Sequence, residues 1–191
     1  MTTICIIRHG ETDWNSSGRL QGCEDIELND QGRLQAASLA AYLSKQHWDV
    51  IISSPLKRAF ETARIIASHL SSPVIQKMEG LRERDYGAAS GLLPDERHNR
   101  FPDGIIPGQE EFEHLRERAI RALDEIAEQH SGKRIIVVSH GAFTNSILYT
   151  ISGGEFGSFK TRLKNGCLNL IVRSNNRWSV SYYNKTVEEL T

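Results

Sequence analysis

Two imidazoles, two guanidiniums and a carboxyl group follow short apolar runs in this chain, and together they can carry phosphoryl transfer. Arg8-His9-Gly10-Glu11-Thr12 closes Ile4-Cys5-Ile6-Ile7, and Ser53-Ser54-Pro55 leads from Val50-Ile51-Ile52 to Arg58. Ser139-His140-Gly141 closes Arg134-Ile135-Ile136-Val137-Val138. An arginine offers a planar fork that fits phosphate oxygens. A neutral histidine nitrogen attacks phosphorus to give a phosphohistidine. Arg8, Arg58 and a protonated His140 would supply positive charge, and the N–H groups of a helix starting near Gly141 would favour the same anion. Gly10 would let backbone approach the ligand. His9 is then the nucleophile. The leaving alkoxide needs a proton, for which Leu81-Arg82-Glu83-Arg84-Asp85-Tyr86-Gly87 offers Glu83, first as acid and then as the base that activates water. Glu79 and Asp85 lie close enough that residue type alone does not separate them from Glu83.

These groups are far apart in sequence, so a fold must gather them. The three apolar runs read as buried strands, joined by segments of helical period. Ala36, Leu39, Ala40 and Leu43 form one such segment with Asn29 as N-cap, and Ala59, Ala63, Ile66 and Leu70 form another beginning near Pro55. Pro73-Val74-Ile75 opens a short third strand. Residues 80–110 read mainly as loop with a short helix, followed by an amphipathic helix from Glu111 to Gln129 and a further helix through Ile147 to Ile151. Cys167–Val172 and Trp178–Tyr183 flank Asn175-Asn176, a hairpin signal. Alternation of this kind predicts a three-layer α/β/α sandwich on a mostly parallel sheet, with the C-terminal hairpin adding an antiparallel strand. Such sheets collect sites at strand carboxyl ends, where the three reactive triplets would meet.

Each residue alone has a plainer reading. His9 and His140 could be packed histidines, and Lys57, Arg58, Glu61 and Arg64 could form a solvated helix face. His47, His69, His98, His114 and His130 have no comparable context, and Trp14, Trp48 and Trp178 read as core or pocket wall. No H-x-x-x-H or H-E-x-x-H spacing occurs, so neither a metal nor another cofactor is expected.

The 191 residues suffice for one domain with a sizeable core, spanning 1–191. Lys plus Arg (23) nearly balance Asp plus Glu (24), which argues against a nucleic-acid or membrane-surface partner. Cys5, Cys23 and Cys167 are widely spaced and odd in number, as expected of reduced thiols in a cytoplasmic protein without signal peptide or membrane span. None of these features fixes the oligomeric state, a homodimer included.

Arg8-His9-Gly10-Glu11-Thr12 with Asn15, Ser53–Ala59 with Thr62-Ala63, Leu81–Gly87, and Val138-Ser139-His140-Gly141 resemble, in order, the motifs of the histidine phosphatase superfamily, in its phosphoglycerate-mutase-like branch. The resemblance implies His9 as phosphoacceptor, Arg8, Arg58 and His140 as the phosphate pocket, and Glu83 as proton donor. It also implies substrate contacts from Asn15, Gln21, Gly22, Tyr86 and Gly141, and chemistry without metal. Mutases of that family carry a long insertion between the acid motif and the last histidine, whereas 56 residues separate Glu83 from His140 here. A more open site favours hydrolysis of a small phosphorylated metabolite over isomerisation. The tryptophan-containing acid motif common among small phosphatases of the family is absent here, which keeps a 2,3-bisphosphoglycerate-dependent mutase as the alternative. Substrate choice is expected from residues 92–110 and 21–25.

Overall fold

The computed structural model describes residues 1–71 and 74–191. In chain order the elements are β1 (Thr2–Arg8), α1 (Asp13–Ser16), α2 (Asp30–Leu43), β2 (Val50–Ser53), α3 (Lys57–Ala67), β3 (Ile75–Lys77), α4 (Pro94–Arg100), α5 (Phe112–Gln129), β4 (Arg134–Ser139), α6 (Gly141–Ile151), β5 (Leu168–Ser174) and β6 (Arg177–Lys185). All six strands belong to one sheet, in the order β3-β2-β4-β1-β5-β6. The first four pair in parallel, while β5 runs antiparallel to β1 and to β6. The hairpin adds the expected antiparallel strand, β5, and β6 pairs antiparallel to it at the sheet edge. Pro73 lies outside the described residues.

The two-residue period of the strands makes the layers. Ile4, Ile6, Val50, Ile52, Ile135 and Val137 face α5 and α6, packing on Leu115, Leu123, Ile126, Phe143 and Ile147. Cys5, Ile7, Ile51, Ile136 and Val138 face α2 and α3, packing on Leu39, Leu43, Ala59, Ala63 and Ile66. Both faces are covered, which is why the strands read as unbroken apolar runs. Each fully buried Ile or Leu contributes about 1.5–3 kcal/mol of burial. Among the described residues, no helix is long and apolar enough to cross a membrane.

Local chemistry sets the element ends. Asn29 caps α2, accepting from the Gly32 N–H at 2.8 Å. Asn175 and Asn176 take positive φ (49° and 58°), the geometry a two-residue hairpin turn requires. Gly10 has a different task from the one its sequence context suggests. A Cβ there would lie 2.4 Å from the carbonyl oxygen of Gly32, and one at Gly32 only 2.1 Å from that of Glu11. The two glycines let the exit of β1 rest on the first turn of α2, so the close backbone approach is to protein and not to a ligand.

Sheet register aligns the three reactive triplets. Arg8 sits opposite Ser139, and Ser53 opposite Val138. One step beyond, the His9 N–H donates to Ser139 and the Ser54 N–H to Val138, both at 3.0 Å. Parallel strands end at one edge of the sheet, and these three end in step.

Candidate active site

His9 is 2 % exposed, and its tautomer is set by its own turn. Nδ1 lies 2.6 Å from the Gly10 carbonyl, which can only accept, so Nδ1 carries the proton and Nε2 carries the lone pair. Arg58 Nε donates to that Nε2 at 3.2 Å. Thr62, one turn along α3 from Arg58, accepts from the Gly10 N–H at 3.1 Å and donates to the Arg58 carbonyl at 2.8 Å. Burial, reinforced by the Arg58 and Arg8 charges, holds His9 well below the ordinary imidazole range. The ring is neutral, with Nε2 as the nitrogen that carries its lone pair.

Arg58 is 1 % exposed, so the solvated-face reading of this residue fails. Its Nη1 and Nη2 donate to the carbonyls of Glu24 (2.6 Å) and Gly22 (2.7 Å). Three of its five N–H groups are thus engaged, leaving two for an anion. Burial pulls its guanidinium down to about 10. Arg8 donates through Nη1 to the Leu163 carbonyl, while its buried Nε has no partner among the described residues. Burial also lowers Arg8. Neither guanidinium is bonded to a carboxylate among the described residues; Glu83 acts on both only through space, and desolvation outweighs it.

Glu83 reaches the same space from the loop after β3. Oε1 accepts from the N–H groups of Arg84 (2.9 Å) and Phe143 (3.0 Å), and Oε2 from that of Ala142 (3.0 Å). Two N–H bonds fill the lone pairs of Oε1, so Oε2 alone has one open for a proton. The first turn of α6 therefore serves Glu83; only the Gly141 N–H is left for a bound anion, a correction to the expected phosphate cradle. A Cβ on Gly141 would lie 3.4 Å from Arg8 Nε and 3.8 Å from Glu83 Oε2, so the glycine keeps side-chain bulk away from both.

His140 departs furthest from expectation. Its ring lies 5.3 Å from that of His9, centroid to centroid, but it is wholly buried and does not line the cavity. Nε2 pairs with Ser54 Oγ at 2.7 Å and Nδ1 has no partner among the described residues. Burial, followed by the Arg58 charge, holds it well below the usual range. It is neutral here, not the third cation that residue type suggests.

The two neutral rings make stability depend on pH. In the unfolded chain they protonate near 6.5, and in the folded protein only far below that. Below pH 6.5 the unfolded state therefore binds more protons, and stability falls as pH drops toward the folded values. Each ring contributes a slope of about 1.4 kcal/mol per pH unit in that window. Denaturant midpoints should decline between about pH 6.5 and 5.5, with roughly half the decline lost in His140→Asn. Midpoints that do not change with pH would show that the rings are not buried neutral.

A cavity of about 390 Å³ opens over His9. Arg8, Arg58, Glu83, Asn15, Gln21, Gly22, Tyr86 and Gly141 all line it. The Asn15 carbonyl oxygen accepts from Thr12 N (3.1 Å), Thr12 Oγ1 (3.1 Å) and Asn165 Nδ2 (3.0 Å), which leaves its amide N–H groups as donors. Gln21 is buried with Oε1 unpartnered among the described residues, and burial pushes the Tyr86 phenol upward. Sequence reasoning missed Arg19, Asn145, Thr161 and Arg162, which also line the cavity. Asn145 stands four residues after Gly141 and so on its helix face, a signal that was there to read. Arg162 and Thr161 come from the α6–β5 connection, which carries no such signal. None of residues 92–110 reaches the cavity. Part of that stretch instead lies along the Glu83 loop, with Tyr86 bridged to Gln109 and the Ala88 N–H bonded to Pro107 at 2.9 Å. Gly87, at φ 51°, permits this: a Cβ would sit 2.2 Å from the Pro107 carbonyl.

The sequence matches the profile of the histidine phosphatase superfamily, branch 1, across residues 4–186. The chain belongs to that family. Among its histidine phosphatase relatives, the uncharacterized phosphatase PhoE of Bacillus subtilis is 41% identical over 184 residues, covering 96% of this chain and 95% of its own. A metal-independent phosphoserine phosphatase of Arabidopsis thaliana is 34% identical, with 94% and 80% covered. The crystal structure of a mutant phosphoserine phosphatase from Entamoeba histolytica, in complex with phosphoserine, superposes with a TM-score of 0.85 at 28% identity over all of both chains. A histidine phosphatase of this kind is an enzyme whose fold and family were legible in four motifs.

Proposed function

We propose that this histidine phosphatase hydrolyses a small phosphomonoester through a phosphohistidine on His9 Nε2, without metal and in the cytoplasm. One observation supports the reading: a neutral imidazole of fixed tautomer faces a cavity beside the buried Arg58 and half-buried Arg8, neither of them hydrogen-bonded to a carboxylate. A phosphate dianion would supply the direct partner that both lack. In the first step the His9 Nε2 lone pair displaces its bond to Arg58, attacks phosphorus and breaks the bond to the ester oxygen. The Glu83 carboxyl, protonated on Oε2, gives its proton to that oxygen as the alcohol leaves. In the second step Glu83 Oε2 takes a proton from water, the hydroxide attacks phosphorus, and the P–N bond breaks. Inorganic phosphate leaves, and His9 and Glu83 return to their starting states. Arg8, Arg58, Asn15 and the Gly141 N–H hold the transferring group, which supplies most of the catalysis in such a reaction. His140 orders the floor of the site through Ser54.

The alcohol portion carries a carboxylate in this reading. Arg162 lines the cavity, is exposed, and its side chain has no bonded partner among the described residues. Arg19 lines the same cavity, with Nη1 donating to the Gly91 carbonyl at 2.7 Å and reaching Glu96 at 3.4 Å. Relatives named for phosphoserine point the same way. Phosphoserine and 3-phosphoglycerate should therefore release stoichiometric inorganic phosphate in the presence of chelator. A charge-assisted bond is worth about 1.5–3 kcal/mol, so Arg162→Ala should lower kcat/KM for them roughly tenfold or more, mainly through KM, and leave p-nitrophenyl phosphate unaffected. Conversion of 3-phosphoglycerate to 2-phosphoglycerate with 2,3-bisphosphoglycerate, and no net phosphate release, would replace this reading with the mutase.

A further inference from the structure

Arg118 on α5 does not line the cavity, yet all five of its N–H groups are spent around the loop that carries Glu83. Nε and Nη2 form a bidentate pair with Glu110 at 3.0 and 2.9 Å. Nη1 donates to the carbonyls of Gly80 and Arg82, both at 2.9 Å, and Nη2 also reaches that of Glu83 at 3.4 Å. The pair is mostly shielded, with side chains 28% and 17% exposed. Its guanidinium lies 5.6 Å from the ring of Phe143, whose N–H holds Glu83 Oε1. Glu110 closes the other side of the loop. Its N–H donates to the Asp85 carbonyl (2.8 Å), its carbonyl accepts from Arg84 Nε (2.8 Å), and its carboxylate accepts from the Asp85 N–H (3.3 Å).

Every backbone carbonyl from Arg82 to Asp85 except that of Arg84 is thus held by this pair, while α6 holds the Glu83 carboxylate itself. We infer that Arg118 and Glu110 are positioning residues for proton transfer: they fix the Glu83 loop so that Oε2 faces the leaving oxygen, and they take no part in holding the phosphate. The inference rests on the role proposed for Glu83. A misplacement of about 1 Å can cost roughly a hundredfold in rate. The phosphate-holding groups sit on β1, α1, α3 and α6 and are bonded to neither residue.

The test compares Glu83→Gln, Arg118→Gln and Glu110→Gln on phosphoserine, an alkyl ester with a poor leaving group, and on p-nitrophenyl phosphate, which needs little protonation. Arg118→Gln and Glu110→Gln should each lower the single-turnover rate on phosphoserine by about ten- to a hundredfold at nearly unchanged half-saturation, with at most a few-fold loss in the burst rate on p-nitrophenyl phosphate. The double variant should be no slower than Arg118→Gln, because the two act as one unit. If Arg118→Gln does not fold by circular dichroism, Glu110→Gln, which keeps the side-chain shape, decides alone. Equal slowing of the first turnover on both substrates, or weakened half-saturation, would assign the pair a merely structural role and overturn the inference. Selectivity in Glu83→Gln without selectivity in the other two overturns this inference alone, whereas none in Glu83→Gln overturns the reading beneath it.

Discussion

His9→Ala lowers kcat/KM for every phosphomonoester by at least about 10⁴-fold, because no second nucleophile is available to the bound phosphate. The cavity presents one imidazole lone pair, on His9 Nε2. The neighbouring ring of His140 is sealed beneath and paired to Ser54, so it cannot substitute. Rapid quenching with a radiolabelled phosphomonoester should trap an acid-labile, base-stable phosphoryl group on the wild-type enzyme and none on the variant. Arg8 and Arg58 remain in His9→Ala, so it should still bind inorganic phosphate by calorimetry. A variant that hydrolyses at the wild-type rate would remove the imidazole from the chemistry altogether.

Glu83→Gln should slow phosphoserine hydrolysis by about 10²- to 10⁴-fold, the range for a lost general acid and base. The replacement keeps the volume and the bonds to Arg84 and Phe143, but puts an amide N–H₂ against the Ala142 N–H that Oε2 now accepts. It cannot deliver a proton. With p-nitrophenyl phosphate the first step should be slowed far less, while the second still lacks its base. The phosphoenzyme should then accumulate, giving a burst of p-nitrophenol before a slow steady state. Equal slowing of both esters, with no burst, would take Glu83 out of proton transfer.

The frame of the molecule was legible because its strands are buried on both faces. Ile4–Ile7 and Ile135–Val138 have nowhere to expose a polar side chain, and their apolar runs announce them. The reactive triplets were legible for a related reason, since they begin where those runs stop. What the sequence hid is what depends on three-dimensional neighbours. The charge on His140 follows from complete burial beside Arg58, which residue type does not disclose. The partner of Gly10 is a glycine on α2. Residues 92–110 looked like a substrate loop because they are polar and rich in glycine and proline. Part of the stretch is instead braced along the acid loop, and the cavity wall comes from residues 161–163, distant in sequence and without pattern.

β5 runs opposite to its neighbour β1, pairing Ile7 with Leu168 and Thr2 with Arg173. A reversed strand begins at the edge where its neighbours finish. The connection entering β5 thereby joins the loops leaving β1, β2 and β4, and Arg162 arrives without any change to the frame that aligns His9. Had β5 been parallel, the same connection would open on the far edge of the sheet. The same connection also braces the other loops, since the Leu163 carbonyl holds Arg8 and Asn165 holds Asn15, so an exchange meant to retarget the proposed activity should vary 161–162 and keep 163 and 165.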